Sequence, residues 1–347
     1  MTKPAQQSGP GEPRDGGVFL ATKREFASLL PRLFSRCLQF PRRKRGSCLF
    51  RRGSIPQLAY CSPFVLLVLS LHACLVQGAE PVRLTTDGHA KRDPVFSSPQ
   101  ETELLYVLLE KPNQLRLMKR SLVDATTVPL HPGETRSEFE PAVSRDGHFL
   151  AFVQSRGNLS LALVIVDLMN NRTYEVPPGG GFSGLRSPAF TPDHGRVLFS
   201  YPEEGRQQIY SVDVQGKDRK TLIDSQGVNN WPHFSREGSS FVFSSSRDDD
   251  FEIYVADANG ENARRLTTSP GQDIRPRFSP DGSRIAFTSN RDGNYEVYVM
   301  RSDGSDLVRI TNHPEQDDYP IWTANGKQLV LLSERNGSFD FYRYEIP

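Results

Sequence analysis

The sequence predicts an all-β fold, a six-bladed β-propeller of four-stranded blades closed by pairing of its N- and C-terminal strands. Three observations carry that prediction. Prolines recur at 94, 141, 188, 232, 276 and 320, spaced by 47, 47, 44, 44 and 44 residues, and two places after each comes Phe96, Val143, Phe190, Phe234, Phe278 or Trp322. Repeats of ~40–45 residues built from short apolar runs mark propeller blades. Runs such as Phe241-Val242-Phe243 and Ile253-Tyr254-Val255 are apolar at nearly every position, so both faces of each sheet must be covered. Finally, an orphan strand near the start copies a segment that the last unit lacks.

Within a unit the elements follow from turn chemistry. The best-formed one reads Arg275-Pro276-Arg277-Phe278-Ser279-Pro280-Asp281-Gly282, then Ile285 to Asn290, Tyr295 to Met300 and Arg309-Ile310-Thr311, four short strands A to D. Asp281-Gly282 turns the A/B hairpin and Asp303-Gly304 follows strand C; Asp146-Gly147, Glu237-Gly238, Asn325-Gly326 and Asn259-Gly260 repeat these turns. Pro81 to Pro347 allots 44.5 residues to each of six blades. The last unit stops after strand C, while Val82-Arg83-Leu84-Thr85-Thr86 copies the strand D segments Arg265-Leu266-Thr267 and Arg309-Ile310-Thr311 with no strands A to C before it. Pairing the termini would complete the sixth blade and cover an exposed edge.

Ahead of the propeller, residues 1–56 carry twelve Lys/Arg against three Asp/Glu, a charge of +9, so the whole-chain net of +1 leaves −8 for the rest. This lead-in is expected to be a disordered basic arm or a translation start placed too far upstream. Residues 57–79 have the layout of a secretory signal peptide, with Arg51 and Arg52 before an apolar run from Phe64 to Leu71 and small residues up to Ala79. Cleavage is expected ahead of Ala79 or one residue later, with acylation of Cys74 as the alternative that would anchor the protein to a membrane. All four cysteines, at 37, 48, 61 and 74, precede the propeller, which occupies residues 80–347 and has neither a disulfide framework nor a thiolate metal site. Its acidic balance argues against a nucleic-acid partner.

The motifs Phe278-Ser279-Pro280-Asp281-Gly282, Ser289-Asn290-Arg291-Asp292-Gly293 and Glu296-Val297-Tyr298-Val299-Met300 resemble the TolB-type propeller repeat. The resemblance covers residues 81–347 and implies an exported, periplasmic protein of the cell envelope that binds a protein or peptide and has no catalysis of its own. The chain departs from TolB in leaving no room for an α/β domain between Ala79 and the first blade. A monomer without a cofactor is expected.

Candidate ligand contacts lie where the repeat diverges around the channel mouth. Asp93, Glu140, Ser187, Trp231, Arg275 and Tyr319 stand immediately before the six prolines, with Arg92, Phe139, Arg186, Asn230, Ile274 and Asp318 one step earlier. Trp231, Arg275, Tyr319, Arg186, Phe139 and Asp318 suit a protein interface, because aromatic and Arg anchors dominate such surfaces. As loop residues they are expected to tolerate substitution with the fold intact. The alternative is a carbohydrate-active lyase with a divalent metal at the channel mouth, a reading the resemblance also admits, with His89, His131 and His313 as ligands; their spacings do not follow the repeat. His148 and His194 belong to A/B turns and read as bystanders. Asp248-Asp249-Asp250 reads as a solvated turn rather than a calcium loop, and the Asp and Gly of Arg291-Asp292-Gly293 as a bond to loop backbone and a positive φ.

Overall fold

The structure, a computed structural model, describes residues 80–157, 160–178 and 184–347. The basic lead-in, the signal peptide, the cleavage position and Cys74 lie outside the described residues.

Six antiparallel four-stranded sheets form the described chain. Strands A to D are Lys91–Phe96, Glu103–Lys111, Gln114–Ser121 and Thr127–Pro129 in blade 1, and Glu138–Val143, Phe149–Ser155, Leu161–Asp167 and Arg172–Val176 in blade 2. Blade 3 has Arg186–Phe190, Arg196–Glu203, Arg206–Asp213 and Lys220–Ile223; blade 4 has Asn229–Phe234, Ser240–Asp248, Asp250–Asp257 and Arg264–Arg265. Blade 5 has Asp273–Phe278, Arg284–Ser289, Glu296–Arg301 and Val308–Arg309. In blade 6, Asp317–Trp322, Gln328–Arg335 and Ser338–Glu345 are joined by Val82–Arg83 as strand D.

The core explains the doubly apolar strands. Each pair of neighbouring blades shares one hydrophobic cluster, and the series returns to its start: Leu105, Val107 and Leu117 of blade 1 meet Leu150, Phe152 and Val164 of blade 2, while Leu104, Tyr106 and Met118 on the other face of blade 1 meet Val330, Leu332 and Phe341 of blade 6. The bulky centres Phe199, Phe241, Phe287 and Phe341 are essentially inaccessible. At roughly 25 cal/mol per Å² of apolar area removed from water, these faces supply most of the stability.

Polar ties fix the blade edges. A strand C carboxylate takes an Arg and a Thr from strand D: Glu252 with Arg265 (2.6 Å) and Thr267 (2.6 Å), and Glu296 with Arg309 (3.0 Å) and Thr311 (2.5 Å). Blade 6 reproduces the arrangement across the termini, with Asp340 accepting from Arg83 Nη2 (2.5 Å) and Thr85 Oγ1 (2.6 Å). The Thr hydroxyl also accepts from strand C backbone, Phe341 N to Thr85 at 3.0 Å as Ile253 N to Thr267 at 2.9 Å. Buried Lys91 ties the closure to blade 1 through Asp340 at 3.1 Å. Burial opposes ionisation of Asp340, but the bonds from Thr85, Arg83 and Lys91 outweigh it and hold the carboxyl below its usual range.

Turns behave as their residues dictate. Asp281 accepts from Ser283 N at 3.1 Å while Gly282 takes φ of 72°. In the C/D turn of blade 4, Gly260 lies so close to blade 3 that a Cβ would sit 2.0 Å from Leu222 O. Gly293 has the expected positive φ, 114°. Asp292, however, accepts from the Tyr298 hydroxyl and Arg309 instead of from loop backbone. Arg291 reaches back to Asp273 (2.7 Å) and Arg335 to Asp317 (3.0 Å), so these B/C arginines clamp the first residue of strand A.

Candidate functional site

The residues before the six prolines lie inside strand A, the innermost strand, and not in loops. Proline has no N–H for the ladder, and in every blade the A/B register shifts across it, for example between Ile274 and Arg277 and between Asp318 and Ile321. The bulge puts Asp93, Glu140, Ser187, Trp231, Arg275 and Tyr319 into the left-handed region, with φ between 49° and 57°. That conformation costs a non-glycine residue on the order of 1 kcal/mol, and a bulge re-aims the side chain it carries. All six therefore converge on the channel axis, where with their prolines they enclose a space of about 40 Å³, room for a few waters. They form a waist.

Four expected site residues, Trp231, Arg275, Asp318 and Tyr319, meet there. Arg275 lies between the rings of Trp231 and Tyr319, its Cζ 4.9 Å and 4.1 Å from their centroids. Its guanidinium pairs with Asp318 at 3.1 Å and donates to the Tyr319 hydroxyl at 3.1 Å. Asp318 also accepts from Thr288 Oγ1 at 2.8 Å. Such stacking and pairing on one guanidinium make Arg275 the keystone of the waist, which corrects the expectation that it can be replaced with the fold untouched. Arg186 on blade 3 and Phe139 on blade 2 stand away from that cluster: Arg186 pairs with Glu140 at 3.2 Å, and Phe139 lies under Arg92 at 5.6 Å.

The electrostatics are unusual at Asp93. Burial raises its pKa to about 6, with Glu140 and Asp318 adding to the rise and Arg92 and Arg275 opposing it. Burial, again, raises the Tyr319 phenol above its usual range. One residue beyond the prolines stand two groups that the repeat analysis passed over, His233 and Arg277. Burial lowers His233 to about 3, so it is neutral, and its Nδ1 accepts from Phe278 N at 3.1 Å. Reading the repeat one position further would have found both, since the equivalents are Val95, Ala142, Ala189 and Ile321.

The histidines proposed as metal ligands are engaged separately: His131 Nδ1 with Glu138 at 2.7 Å, His313 Nδ1 with Glu315 N at 3.1 Å, while His89 is exposed. Among the described residues no three His, Cys, Asp or Glu side chains are grouped to hold a metal ion. His148 and His194, expected to be bystanders, both contact Asp146, at 3.0 and 2.8 Å, so His194 bridges blades 3 and 2. In the Asp248 to Asp250 turn, Asp248 accepts from the Tyr254 hydroxyl.

Comparison with family models matches residues 96–276 and 184–346 to the TolB beta propeller domain. Among solved structures, TolB from Acinetobacter baumannii is similar with a TM-score of 0.59 and 21% identity, over 71% of this chain and 64% of that one. The putative TolB from Agrobacterium tumefaciens gives a TM-score of 0.53 and 21% identity over 64% and 94% of the two chains. An oligogalacturonate lyase from Vibrio parahaemolyticus gives 0.53 and 16% over 76% and 80%. Identities this low show a shared fold alone, and the chain spans less than two thirds of the Acinetobacter protein. A search of the curated proteins finds no match.

Proposed function

Because the chain belongs to the TolB beta propeller domain family, we propose that it is an exported, non-catalytic propeller of the cell envelope that binds a protein or peptide through the D/A side of its ring. The observation that carries this reading is the composition of the strand A positions around the upper channel. Arg275 is stacked between Trp231 and Tyr319, with half-buried Phe139 and 41%-exposed Arg186 one strand position earlier on other blades. Pre-organised aromatic and Arg side chains of this kind carry much of the energy in protein interfaces. A metal-dependent lyase has no comparable support, since His131 and His313 are each engaged with separate partners and His89 is exposed.

The test is capture of envelope proteins on immobilised protein. Trp231→Ala, Phe139→Ala and Arg186→Ala should each weaken capture by ~10-fold or more, a loss of about 1.4 kcal/mol. Lys327→Ala, an exposed side chain in the A/B turn of blade 6, should be silent. Capture that survives all three upper-face substitutions removes this site, and turnover of an acidic polysaccharide by the purified protein replaces the reading with the lyase. Export is tested by N-terminal sequencing, which should find the mature chain starting near Ala79.

A further inference from the structure

Below the waist the channel widens into a chamber of about 540 Å³ lined by the lower halves of the A strands and by A/B turn residues. That volume is in the range of small-molecule sites. The ring just past the prolines contributes Val95, Ala142, Ala189 and Ile321 as apolar wall, interrupted on two adjacent blades by His233 and Arg277.

Arg277 is the informative residue. Its carbonyl accepts from Trp322 Nε1 at 3.0 Å, but its half-buried guanidinium makes no ion pair and no hydrogen bond among the described residues. It reaches both the waist and the chamber. Burial lowers its pKa to about 10, which leaves it charged at neutral pH, and of the two charges that act on it Asp93 favours and Arg275 opposes that charge. Asp93 is a weak counter-ion, being shared with Arg92 at 3.3 Å and driven toward its neutral form by burial. A half-buried cation with no protein partner and a chamber in front of it is placed to receive an anion. His233 adds a second donor, because a neutral ring whose Nδ1 accepts from Phe278 N carries its proton on Nε2.

The mouth is also cationic. Arg145 and Arg236 line it and repel each other; Arg236 has only a 3.5 Å contact with Pro280 O. The carboxylate among the lining residues, Glu101, already accepts from Ala324 N. Deep donors, an apolar wall and a positive entrance describe the complement of one kind of molecule. We propose that this chamber binds an amphipathic organic anion, with its carboxylate or phosphate on Arg277 and His233 and its apolar body along Val95, Ala142, Ala189 and Ile321. Arginine's planar fork suits either headgroup. The proposal does not rest on the upper-face interface, and the two tests use different ligands.

Calorimetric titration of the purified protein with 4-phenylbutyrate, its neutral amide, phenyl phosphate and inorganic phosphate tests the proposal. At least one of the two aromatic anions should bind ten-fold or more tighter than both the amide and inorganic phosphate; whichever binds tighter identifies the headgroup. Arg277→Met should bring that anion down to the affinity of the amide, and the unliganded variant should melt at the same temperature or higher, since an unpaired charge has been removed. Equal binding of anion and amide, unchanged affinity in Arg277→Met, or no binding of either aromatic anion at 10 mM would each overturn it. So would a lower melting temperature for the variant, which would show that the guanidinium has a structural partner.

Discussion

Replacing Thr85 by valine isolates the chemistry that closes the ring. The two side chains are nearly isosteric, so the change removes one hydroxyl and leaves the packing of strand D in place. That hydroxyl donates to buried Asp340 at 2.6 Å and accepts from Phe341 N at 3.0 Å and from Lys91 Nζ at 3.3 Å. A bond to a buried carboxylate contributes ~1.5–3 kcal/mol, and leaving the Phe341 N–H unsatisfied costs ~1–3 kcal/mol. Allowing for the apolar gain of the new methyl, the loss should be about 3 kcal/mol, or roughly 6–9 °C in Tm for a propeller of this size. Thr311→Val is the internal reference. There the same hydroxyl serves Glu296 and Val297 N within one continuous blade. Urea unfolding and thermal melting should give comparable losses for the two variants. If Thr311→Val costs ~3 kcal/mol and Thr85→Val less than ~0.5 kcal/mol, the terminal strand does not close the ring and the reasoning fails.

Three further outcomes are expected. Asp93 has its folded pKa raised from 3.8 to about 6, so the native state binds its proton more tightly than the unfolded chain; its stabilising contribution is full below pH ~4 and is lost as pH rises through 6. Asp93→Asn should remove that decline and raise stability at pH 7.5 by ~2–3 kcal/mol, and a variant whose pH profile parallels the parent between 4 and 7 would show the carboxyl is not perturbed. Arg275→Met should destabilise by ~3 kcal/mol, because it takes the cation from Asp318 and the filling from between Trp231 and Tyr319; a melt unchanged from the parent would return Arg275 to the status of a loop residue. Gly260→Ala should cost well over 2 kcal/mol, since its Cβ would meet Leu222 O at 2.0 Å, whereas Gly293→Ala, with open space around it, should cost only the ~1 kcal/mol of a positive φ; equal costs in denaturant melts would mean the blade 3 contact gives way.

The six blades were legible because a proline every 44 or 47 residues marks one structural position in each. Closure was legible for a related reason: Arg83-Leu84-Thr85 repeats a segment whose side chains do the same work wherever it occurs. The partner of that segment was harder to see, because Glu252, Glu296 and Asp340 share a 44-residue spacing but not an identity. The waist reads as loop in the sequence because a residue ahead of proline favours a turn, and only the register shift within the A/B ladder shows that it stays in the strand. Contacts between blades, such as His194 with Asp146, join residues whose relation exists only once the ring is built. Arg277 carried a signal that went unused, as the charged member of an otherwise apolar and histidine series.

The bulged prolines give the molecule an internal floor. With Asp93, Glu140, Ser187, Trp231, Arg275 and Tyr319 turned inward on left-handed backbone, the axis of the ring is narrowed between the D/A side and the chamber beyond the prolines. Yet Arg275 and Arg277 are two residues apart on one strand, and Asp93 acts electrostatically on both. The narrowing is therefore a thin layer of charge shared by the waist and the chamber, and an ion bound at Arg277 is felt at Arg275.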